Sequence, residues 1–428
     1  MENTKIKRII IAICVVVLMG LSFGVGYYVN YLSLPKNLRL LKEVCDLIDE
    51  YYVGVTYNEQ TGEYEYIEFT NEDYAKAMVD ALLDNYSTFY TADEYADYVQ
   101  TANGNYVGIG TSFLTKSKND LVVFKVALNS PAFHAGLKEG DKLIKIEYNN
   151  AEYLLDSYDA YINVLGQIPL KTNFKLYIEN KVEPFELQKM EYKQSYVEYK
   201  DSTSNYNFIS VNSQYLEGVE TTATNAFDND TAYIALTEFS GNAGNEMANA
   251  LNYMQTRGRT KLILDLRKNG GGAMNILCQI ASYFVKNDNG SGQTLITNAV
   301  NSKGEAVAYY TTKYAYTPMN IVVLADENTA SASECLIGAM LSSGTITENG
   351  LVLVKNSEGE ARTYGKGIMQ TFYLSKDSSF TLKLTSAVLY WANGNCIHGR
   401  GITTTEQNSI PIISGTDAQL ERAKTILN

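Results

Sequence analysis

Two stretches in the second half of the chain decide the fold: Lys261-Leu-Ile-Leu-Asp-Leu-Arg-Lys-Asn-Gly-Gly-Gly272 and Ile321-Val-Val-Leu-Ala-Asp-Glu-Asn-Thr-Ala-Ser-Ala-Ser-Glu334. Each begins as a short apolar run and ends in a loop rich in glycine or in hydroxyl residues. Apolar runs of this length are typical of strands that are buried on both faces of a parallel sheet. Both loops then lie at the carboxyl ends of strands, where ligands of open α/β sheets collect. These two loops are therefore where we expect the chemistry.

Strands and helices alternate around these two stretches. A further strand is predicted at Ala232–Phe239. Apolar residues at helical spacing predict helices over Asn242–Gln255, around Ile276–Phe284 and from about Ser331 onward. Apolar strands that alternate with amphipathic helices indicate an α/β layer with parallel strand pairing.

Ser331 is the candidate nucleophile. A hydroxyl at the first turn of a helix faces unpaired backbone N–H groups and the positive end of the helix dipole. The Ala332 N–H would then stabilise an oxyanion, and Gly271, whose backbone a substrate can approach closely, would supply a second donor. Taken alone, a serine at this position is more commonly a helix cap. Ser333 is a second candidate nucleophile.

A nucleophilic serine needs a base, and the chain contains two histidines, His134 and His398. His134 falls in a different predicted domain, so a histidine base would have to be His398. A lysine is the alternative, because burial disfavours its charged form. Lys366 lies between two glycines ahead of an apolar stretch, and Gln370, four residues on, is placed to accept a hydrogen bond from the amine. Without further context, Lys366 would be an ordinary surface lysine.

From Asn103 to about Met190 the pattern changes to short strands. The segment Asn129-Ser-Pro-Ala-Phe-His-Ala-Gly-Leu-Lys-Glu-Gly-Asp141 closely resembles PDZ domains. Such domains bind the C-terminus of a peptide as an added strand, and backbone N–H groups of a glycine-containing loop receive its carboxylate. That loop corresponds here to Gly108-Ile109-Gly110. The alternative is a small β domain that binds no ligand.

The N-terminus predicts a membrane anchor. Three cations within residues 1–8 precede Ile9–Tyr28, a run without any charge. At ~1.5 Å per residue, such a helix spans the ~30 Å hydrocarbon core of a bilayer. The positive-inside rule places residues 1–8 in the cytoplasm and the rest of the chain outside. A cleaved signal peptide is the alternative, although the run is long and no Ala-x-Ala-like site stands out.

Residues 29–102 are predicted to be mainly helical. Apolar residues recur at helical spacing over Leu38–Val53, and Thr70-Asn-Glu-Asp73 resembles the capping box of a second helix. A hairpin that turns near Gly62 is predicted between the two helices. Homo-oligomerisation through this region is an open alternative that nothing in the sequence requires.

Composition excludes several other classes of protein. The net charge is −13 without any Lys/Arg-rich run, which argues against a nucleic-acid partner. The cysteine spacing predicts neither a disulfide framework nor a metal site, and Cys278 and Cys335 are expected to be buried free thiols. No cofactor is expected, since no GK[ST] or GxGxxG pattern follows the triple glycine. The chain has 428 residues, too many for one compact core.

The order of the motifs resembles the C-terminal processing (tail-specific) peptidase family. "LILDLRKNGGG", "NTASASE", "YGKGIMQ" and "LTSAVLYWANGNCIHGRGI" occur in the order seen there, as do "DNYSTFYTADEYADYV" and the PDZ-like segment. The resemblance covers roughly residues 38–405 and implies a core of the ClpP/crotonase-like α/β group. It implies the following roles: nucleophile Ser331, general base Lys366, lysine-orienting residue Gln370, and oxyanion donors Ala332 and Gly271.

Three features depart from the family pattern. "DNYS" stands where the family often has "DPYS", and "GITTTE" stands where "GI" is usually followed by "PD". The stretch from Ser331 to Lys366 is also longer than is usual. Extra residues around Thr347–Ala361 are expected to form an excursion at the surface.

The sequence therefore predicts a multidomain α/β protein. Its parts are a cytoplasmic tail at 1–8, a transmembrane helix at 9–28, a helical region at 29–102, a PDZ-like β domain at 103–190 and a serine protease core at 191–428. The predicted function is a single-pass, membrane-anchored endopeptidase with a Ser331–Lys366 dyad, which cleaves exported proteins near the C-termini that its PDZ-like domain selects. The alternative is a non-catalytic, membrane-tethered peptide-binding protein, whose degenerate core would be expected to lose Ser331, Lys366 or Gln370.

Overall fold

The computed structural model describes residues 35–58, 63–114, 120–207, 221–222, 227–286, 292–312 and 318–428. The predicted anchor at 9–28 and the tail at 1–8 lie outside these ranges. Within them, none of the helices combines the length and the apolar character that a membrane crossing requires. Internal contacts divide the chain into two units, Met1–Phe89 and Tyr90–Asn428.

The described part of the first unit contains two helices and a hairpin between them. Its elements are α1 (Lys36–Tyr51), β1 (Val55–Asn58), β2 (Glu63–Tyr66) and α2 (Asn71–Leu82), and β3 (Thr88–Thr91) spans the boundary in sequence. Strands β1 and β2 pair in antiparallel fashion, as the hairpin prediction required. Helix α2 begins with the predicted capping box: Thr70 N donates to Asp73 Oδ2 at 2.8 Å, and Asp73 N donates to Thr70 Oγ1 at 3.2 Å.

A helix and a small β domain open the second unit. Their elements are α3 (Ala92–Ala102), β4 (Asn105–Gly108), β5 (Thr111–Phe113), β6 (Val123–Val126), α4 (Pro131–Ala135), β7 (Leu143–Tyr148), β8 (Ala151–Leu154), α5 (Tyr158–Gln167), β9 (Asn173–Ile178), β10 (Phe185–Gln188) and β11 (Met190–Lys193). The strands form a sheet of order β10-β9-β7-β8 and the pairs β5-β6 and β4-β11. The domain has its own apolar core, in which Ile146 and Leu176 are fully buried. Burial of each such side chain contributes roughly 1.5–3 kcal/mol.

The remaining elements form the α/β layer that the two decisive stretches predicted. They are β12 (Val197–Lys200), β13 (Ser204–Asn207), β14 (Thr221–Thr222), β15 (Thr231–Leu236), α6 (Ala243–Thr256), β16 (Lys261–Asp265), α7 (Met274–Phe284), β17 (Leu295–Val300), β18 (Ala306–Tyr310), β19 (Asn320–Ala325), α8 (Ala332–Ser342), β20 (Leu351–Val354), β21 (Ile368–Leu374), β22 (Phe380–Trp391), β23 (Ser409–Ile410) and α9 (Ala418–Leu427). The larger sheet has the order β14-β13-β12-β15-β16-β19-β20-β23, and its run from β15 to β23 is parallel. A second, antiparallel sheet contains β18-β17-β22-β21.

The middle residues of the parallel strands β16 and β19 are apolar, and buried apolar clusters lie on both faces of the sheet. In β16, Leu262 and Leu264 pack in the main core with residues of α6, α7 and α8. Ile263, between them, points to the opposite face and packs in a second cluster with Ala423 and Leu427 of α9. Side chains of a strand alternate between faces, so a strand with a core on each side contains no polar alternation.

The stretch Thr347–Ala361 corrects an expectation. Leu351–Val354 is not a surface excursion but strand β20, which pairs with β19 and β23 in the parallel sheet. Leu351, Val352 and Leu353 are fully buried. The exposed parts of the stretch are Thr347–Asn349, ahead of the strand, and the turn at Ser357–Glu360 after it. The expectation was drawn from the length of the segment alone, whereas its Leu-Val-Leu-Val run already has the pattern of a buried strand.

Candidate active site

The loops after β16 and β19 lie against each other at the carboxyl edge of the parallel strands. Ala330 N donates to the carbonyl oxygen of Asn269 at 3.0 Å. A Cβ atom added to Gly271 would lie 2.7 Å from the Ser331 Cβ, closer than carbon atoms approach. Gly271 also has a φ of +102°, which other residues rarely adopt. Only glycine therefore permits this contact between the two loops.

Ser331 has a strained backbone conformation. Its φ and ψ angles are 58° and −115°, and such a conformation costs of order 1–3 kcal/mol for a residue with a side chain. Two hydrogen bonds hold it: Ser331 N donates to Glu334 Oε2 at 2.8 Å, and Cys335 N donates to Ser331 O at 2.9 Å. Ser331 is half-buried and directly precedes α8. Strain at a partly accessible hydroxyl is typical of a functional position.

The rival candidate, Ser333, is fully buried in α8. Its hydroxyl donates to the Asn269 carbonyl at 3.0 Å. A buried and engaged hydroxyl is poorly placed to attack a substrate, whereas it is well placed to connect α8 with the glycine loop. The geometry thus favours Ser331 over Ser333.

The two predicted oxyanion donors are neighbours. The Ala332 N–H has no hydrogen-bond partner among the residues that the structure describes, as is common for the first N–H groups of a helix. A Cβ on Gly271 would lie 2.8 Å from this nitrogen. The Gly271 N–H donates to Asn269 Oδ1 at 3.0 Å. An oxyanion would therefore find one open donor and would compete with Asn269 for the other.

Glu334 connects the serine loop to the lysine segment. Its carboxylate is fully buried; Oε2 accepts from Ser331 N and from Lys366 N at 2.8 and 2.9 Å. Oε1 accepts from the Thr363 hydroxyl and from Gly365 N. Burial raises the pKa of Glu334, and these four donors oppose that rise. The sequence prediction missed this residue, although a serine followed three positions later by glutamate is a recognised pattern at helix starts.

Lys366 is half-buried, and glycines fix the backbone on both of its sides. A Cβ on Gly365 would lie 2.8 Å from Gly401 N, and one on Gly367 would lie 2.7 Å from His398 N. The loop 396–401 therefore packs directly against the lysine segment. This contact explains why the lysine is flanked by glycines.

Gln370 lies in β21, close in sequence to Lys366. Its Nε2 donates to Thr385 Oγ1 of β22 at 3.0 Å. The pairing of β21 with β22 shifts register between Met369 and Gln370. The extra residue at this irregularity is Ser386 of β22, so the alternation along β21 itself is not interrupted. The orienting role of Gln370 stays a prediction.

The two histidines occupy different surroundings. His398 is exposed at the surface beside the lysine segment. His134 lies in the β domain, where its Nε2 is 2.9 Å from Asn129 Oδ1 and burial lowers its pKa. His134 is thus committed to a contact inside its own domain.

Two lysines connect the β domain with the loops of the core. Lys125 of β6 donates to the carbonyl oxygen of Thr237 at 2.7 Å. Lys268 reaches from the glycine loop of the core to the β domain. It donates to the Phe124 carbonyl at 3.3 Å and forms an ion pair with Glu139. Desolvation lowers the pKa of Lys125. Strand β6 is thus held between the loops that follow β15 and β16.

A cavity of about 960 Å³ lies beside these contacts. Its polar lining residues include Lys125, Lys268, Asp326 and Lys355. It opens at the carboxyl ends of the parallel strands, on the side of the β domain. Ser331 and Lys366 are not among its lining residues.

The predicted carboxylate-binding loop has open donors. Ile109 O accepts from Ala132 N, and Gly110 O accepts from Ala127 N, both at 2.8 Å. The N–H groups of Ile109 and Gly110 have no partner within the described part of the chain. The carbonyl oxygens of Ile109 and Gly110 are thus hydrogen-bonded, whereas their N–H groups remain available. This arrangement is suited to binding an anion.

The cysteine prediction is confirmed for the core, where Cys278 and Cys335 are buried free thiols. Over the residues that the structure describes, no group of three or more histidine, cysteine, aspartate or glutamate side chains is arranged to hold a metal ion.

The chain is similar to known peptidases. Residues 230–407 match the profile of peptidase family S41. The chain is 28% identical over 356 residues to carboxyl-terminal-processing peptidase 3, chloroplastic, of Arabidopsis thaliana, covering 80% of this chain and 63% of that relative. It is 24% identical over 408 residues to the carboxyl-terminal-processing protease of Synechocystis sp., covering 93% of this chain and 87% of that protein.

A solved structure shares the fold. The photosystem II D1 C-terminal processing protease superposes with a TM-score of 0.51 at 19% identity, covering 92% of this chain and 98% of that one. The likeness to that structure concerns the fold. Residues 230–407 are similar to peptidase family S41, in agreement with the resemblance to C-terminal processing peptidases that the sequence motifs indicated. It spans less than two thirds of the length of the plant relative.

Proposed function

We propose that this protein is a serine endopeptidase of the C-terminal processing type, with Ser331 as nucleophile and Lys366 as general base. The observation that carries the proposal is the shared acceptor: Glu334 Oε2 binds the backbone N–H groups of both residues. The two backbones are thereby held within two hydrogen-bond lengths of each other. A pairing this direct, at the carboxyl edge of a parallel sheet, supports a catalytic rather than a capping role for Ser331.

The reaction follows from these positions. The neutral amine of Lys366 takes the proton of the Ser331 hydroxyl as Oγ attacks the scissile carbonyl. Negative charge develops on the carbonyl oxygen, and the N–H groups of Ala332 and Gly271 stabilise it. The lysine then gives its proton to the departing amine. Water attacks the acyl-enzyme with the lysine again as base, which restores Ser331 and releases the new C-terminus.

The β domain selects the substrate tail in this proposal. The unpartnered N–H groups of Ile109 and Gly110 support a carboxylate site at Gly108-Ile109-Gly110. The substrates are then polypeptides with a free C-terminus, bound as an added strand. Retention of Ser331, Lys366 and Gln370 argues against the alternative of a peptide-binding protein without catalysis.

Residues 9–28 anchor the enzyme in the cell membrane, with residues 1–8 in the cytoplasm and the catalytic part outside. Support comes from the sequence: an uncharged run long enough to cross a bilayer follows a cluster of cations. The protein should fractionate with membranes, and protease added outside protoplasts should digest the core. A main species that is soluble and begins after residue 28 would instead identify a cleaved signal peptide.

One assay tests the catalytic proposal directly. A denatured protein with an apolar, free C-terminus is incubated with the wild type and with Ser331→Ala. The wild type should shorten the substrate from its C-terminal region, and Ser331→Ala should not. Equal cleavage by both proteins, at equal unfolding midpoints, would remove Ser331 from the mechanism.

A further inference from the structure

Two segments of the chain connect the β domain with the core. The chain enters the β domain between α3 and β4, and it leaves the domain between β11 and β12. Gln194 N, in the second crossing, donates to the Gly104 carbonyl of the first crossing at 3.0 Å. Gly241 N, in the loop that follows β15 of the core, donates to the Ala102 carbonyl at 3.0 Å. A change in the orientation of the β domain against the core therefore pivots at this junction.

The Tyr196 side chain fills the junction. It belongs to the second crossing and is fully buried. A Cβ atom on Gly104 would lie 3.0 Å from the Tyr196 hydroxyl oxygen, and one on Gly241 would lie 2.7 Å from the Tyr196 Cε2. Thr237 N, directly after β15, also donates to the Tyr196 carbonyl at 2.9 Å. The ring thus packs between the first crossing and the core, in close contact with both.

Glu246 of helix α6 fixes the second crossing to the core. The residue is 1% exposed. Its Oε2 accepts three hydrogen bonds, from Ser195 Oγ at 3.0 Å, Tyr196 N at 2.7 Å and Val197 N at 3.1 Å. The three donors belong to consecutive residues. One carboxylate oxygen therefore holds the segment by which the chain leaves the β domain.

Ionisation of Glu246 is costly at this position. Burial raises the pKa of Glu246 to about 7, and the three hydrogen bonds oppose that rise. Oε1 has no hydrogen-bond partner among the described residues. No cation within the described part of the chain contributes to the pKa of Glu246. The carboxyl group therefore changes its charge close to neutral pH.

Few ionisable groups face Glu246. On the second crossing the neighbour is Tyr196, which in turn interacts electrostatically with Tyr106 of β4 and with Glu238, directly after β15. Burial raises the pKa of Tyr196, and it raises that of Tyr106 to about 12. Glu198 of β12 points to the opposite face of the sheet, and helix α7, which packs in the same core as α6, contains no charged residue. The protonation of the two phenols therefore does not change near pH 7, where that of Glu246 does.

We propose that Glu246 is a latch that makes the position of the β domain depend on pH. With its carboxyl group protonated, Glu246 holds the second crossing against α6. When the carboxyl group loses its proton to the solvent, water stabilises the charge only if the crossing leaves α6. A released crossing no longer holds Tyr196 against Gly104 and Gly241, so the β domain is free to turn against the core. The latch is independent of the proposed catalytic function, because none of these residues belongs to the candidate active site.

Rising pH favours the released state. In that state the carboxyl group faces water, and its pKa falls toward the ordinary value of about 4.3. The closed state, in which the pKa of Glu246 is about 7, therefore binds more protons between these two values. The equilibrium constant for release should rise about tenfold from pH 6 to pH 8.

Amide hydrogen exchange of the full chain tests the latch at the groups that it holds. The N–H groups of Tyr196 and Val197 should be less protected than that of Ile263, which is fully buried in β16 and reports global unfolding. After correction for the intrinsic effect of pH on exchange, the protection of Tyr196 and Val197 should fall about tenfold from pH 6 to pH 8. Gly241 N, which bonds to the first crossing, should lose protection in the same proportion.

Two outcomes of this experiment would overturn the proposal. If the Tyr196 and Val197 N–H groups were as protected as that of Ile263 at both pH values, the crossing would open only when the whole protein unfolds. If the Gly241 N–H kept its protection while the other two lost theirs, the β domain would not be freed.

Glu246→Gln is the matched variant, because it removes the ionisation and keeps an acceptor oxygen for the three donors. Glu191→Gln is the control, since it removes a carboxylate from an exposed position of β11. The tenfold change in protection at Tyr196 and Val197 should disappear in Glu246→Gln and persist in Glu191→Gln. A change that persists in both variants, or disappears from both, would contradict the latch. If Glu246→Gln does not fold, the comparison with Ile263 in the wild type decides.

Discussion

The Ser333 hydroxyl donates to the carbonyl oxygen of Asn269 at 3.0 Å, which connects helix α8 to the glycine loop. This bond gives the two neighbouring serines different roles. Ser331→Ala should abolish peptide cleavage and leave the unfolding midpoint nearly unchanged. Ser333→Ala should lower the free energy of unfolding by about 1 kcal/mol, the usual worth of one buried hydrogen bond, while measurable turnover remains. Loss of activity confined to Ser333→Ala would reverse the assignment.

Substitutions at Lys366 and His398 distinguish a lysine base from a histidine base. Lys366→Ala should inactivate the enzyme, and Lys366→Arg should do the same because guanidinium stays protonated at any usable pH. His398→Ala should retain most of the wild-type kcat, since His398 is exposed. The activity of the wild type should rise with pH as the lysine amine loses its proton. An inactive His398→Ala beside an active Lys366→Ala would require a histidine mechanism.

Glu334→Gln should act mainly on kcat. The carboxylate serves four donors, whereas an amide offers one acceptor oxygen and turns an NH₂ group toward the remaining N–H groups. We expect kcat to fall by about ten- to a hundredfold and the free energy of unfolding to fall by about 1–3 kcal/mol, with KM little changed. Glu327→Gln, the same change at an exposed carboxylate of the same loop, should leave both quantities unchanged. An active Glu334→Gln would show that the shared acceptor is not needed.

Glu246 makes stability depend on pH. Its carboxylate is almost fully buried; Oε2 accepts from Ser195 Oγ, Tyr196 N and Val197 N, and Oε1 has no partner among the described residues. Burial raises the pKa of Glu246 to about 7. Because the folded pKa lies above the unfolded value of about 4.3, the folded state binds more protons between them. Stability should therefore fall as pH rises through this window and level off above about pH 7.

Glu246→Gln removes the ionisation and keeps an acceptor oxygen for the same three donors. The variant and the wild type should be similarly stable near the unfolded pKa. Near pH 8 the variant should be more stable by roughly 4 kcal/mol, which corresponds to the raised pKa of Glu246. Urea unfolding at several pH values measures the difference. If the free energies of unfolding of the two proteins changed with pH in parallel, ionisation of Glu246 would not destabilise the folded state.

Tail recognition is tested with an acid and an amide form of one peptide. The full-length Ser331→Ala variant binds without cleaving, so calorimetry reports affinity alone. Amidation removes the terminal charge, and the charge-assisted bonds to the loop at Gly108-Ile109-Gly110 are worth ~1.5–3 kcal/mol. The amide should bind roughly ten- to a hundredfold more weakly. Equal affinities would leave the β domain as a spacer or as a gate on the active site.

The sequence predicted the elements whose signal is local. The strands at Lys261–Asp265 and Asn320–Ala325 and the helix that follows Ser331 appear where the apolar patterns placed them. The apposition of their loops followed from the general geometry of parallel sheets. The capping box at Thr70 was also predictable from the sequence, since it depends on two residues that are three positions apart.

What the sequence did not reveal depends on distant contacts. The carboxylate of Glu334 joins segments that are far apart along the chain, so its partners became apparent only from the fold. The engagement of the Gly271 N–H by Asn269 is a matter of backbone orientation, which composition does not encode. The register shift beside Gln370 likewise depends on pairing with β22. For Leu351–Val354, the apolar pattern already indicated a buried strand. The expectation of a surface excursion came instead from the length of the stretch between Ser331 and Lys366.

The packing of loop 396–401 against Gly365 and Gly367 has a consequence for biosynthesis. A ribosome makes Ser331 first, the lysine segment next, and the loop that shapes that segment last. A nascent chain in which residue 401 has not yet emerged therefore carries the candidate nucleophile without the loop that packs against the lysine segment. Under the proposed function, vectorial synthesis would complete the active site only after residue 401 has emerged.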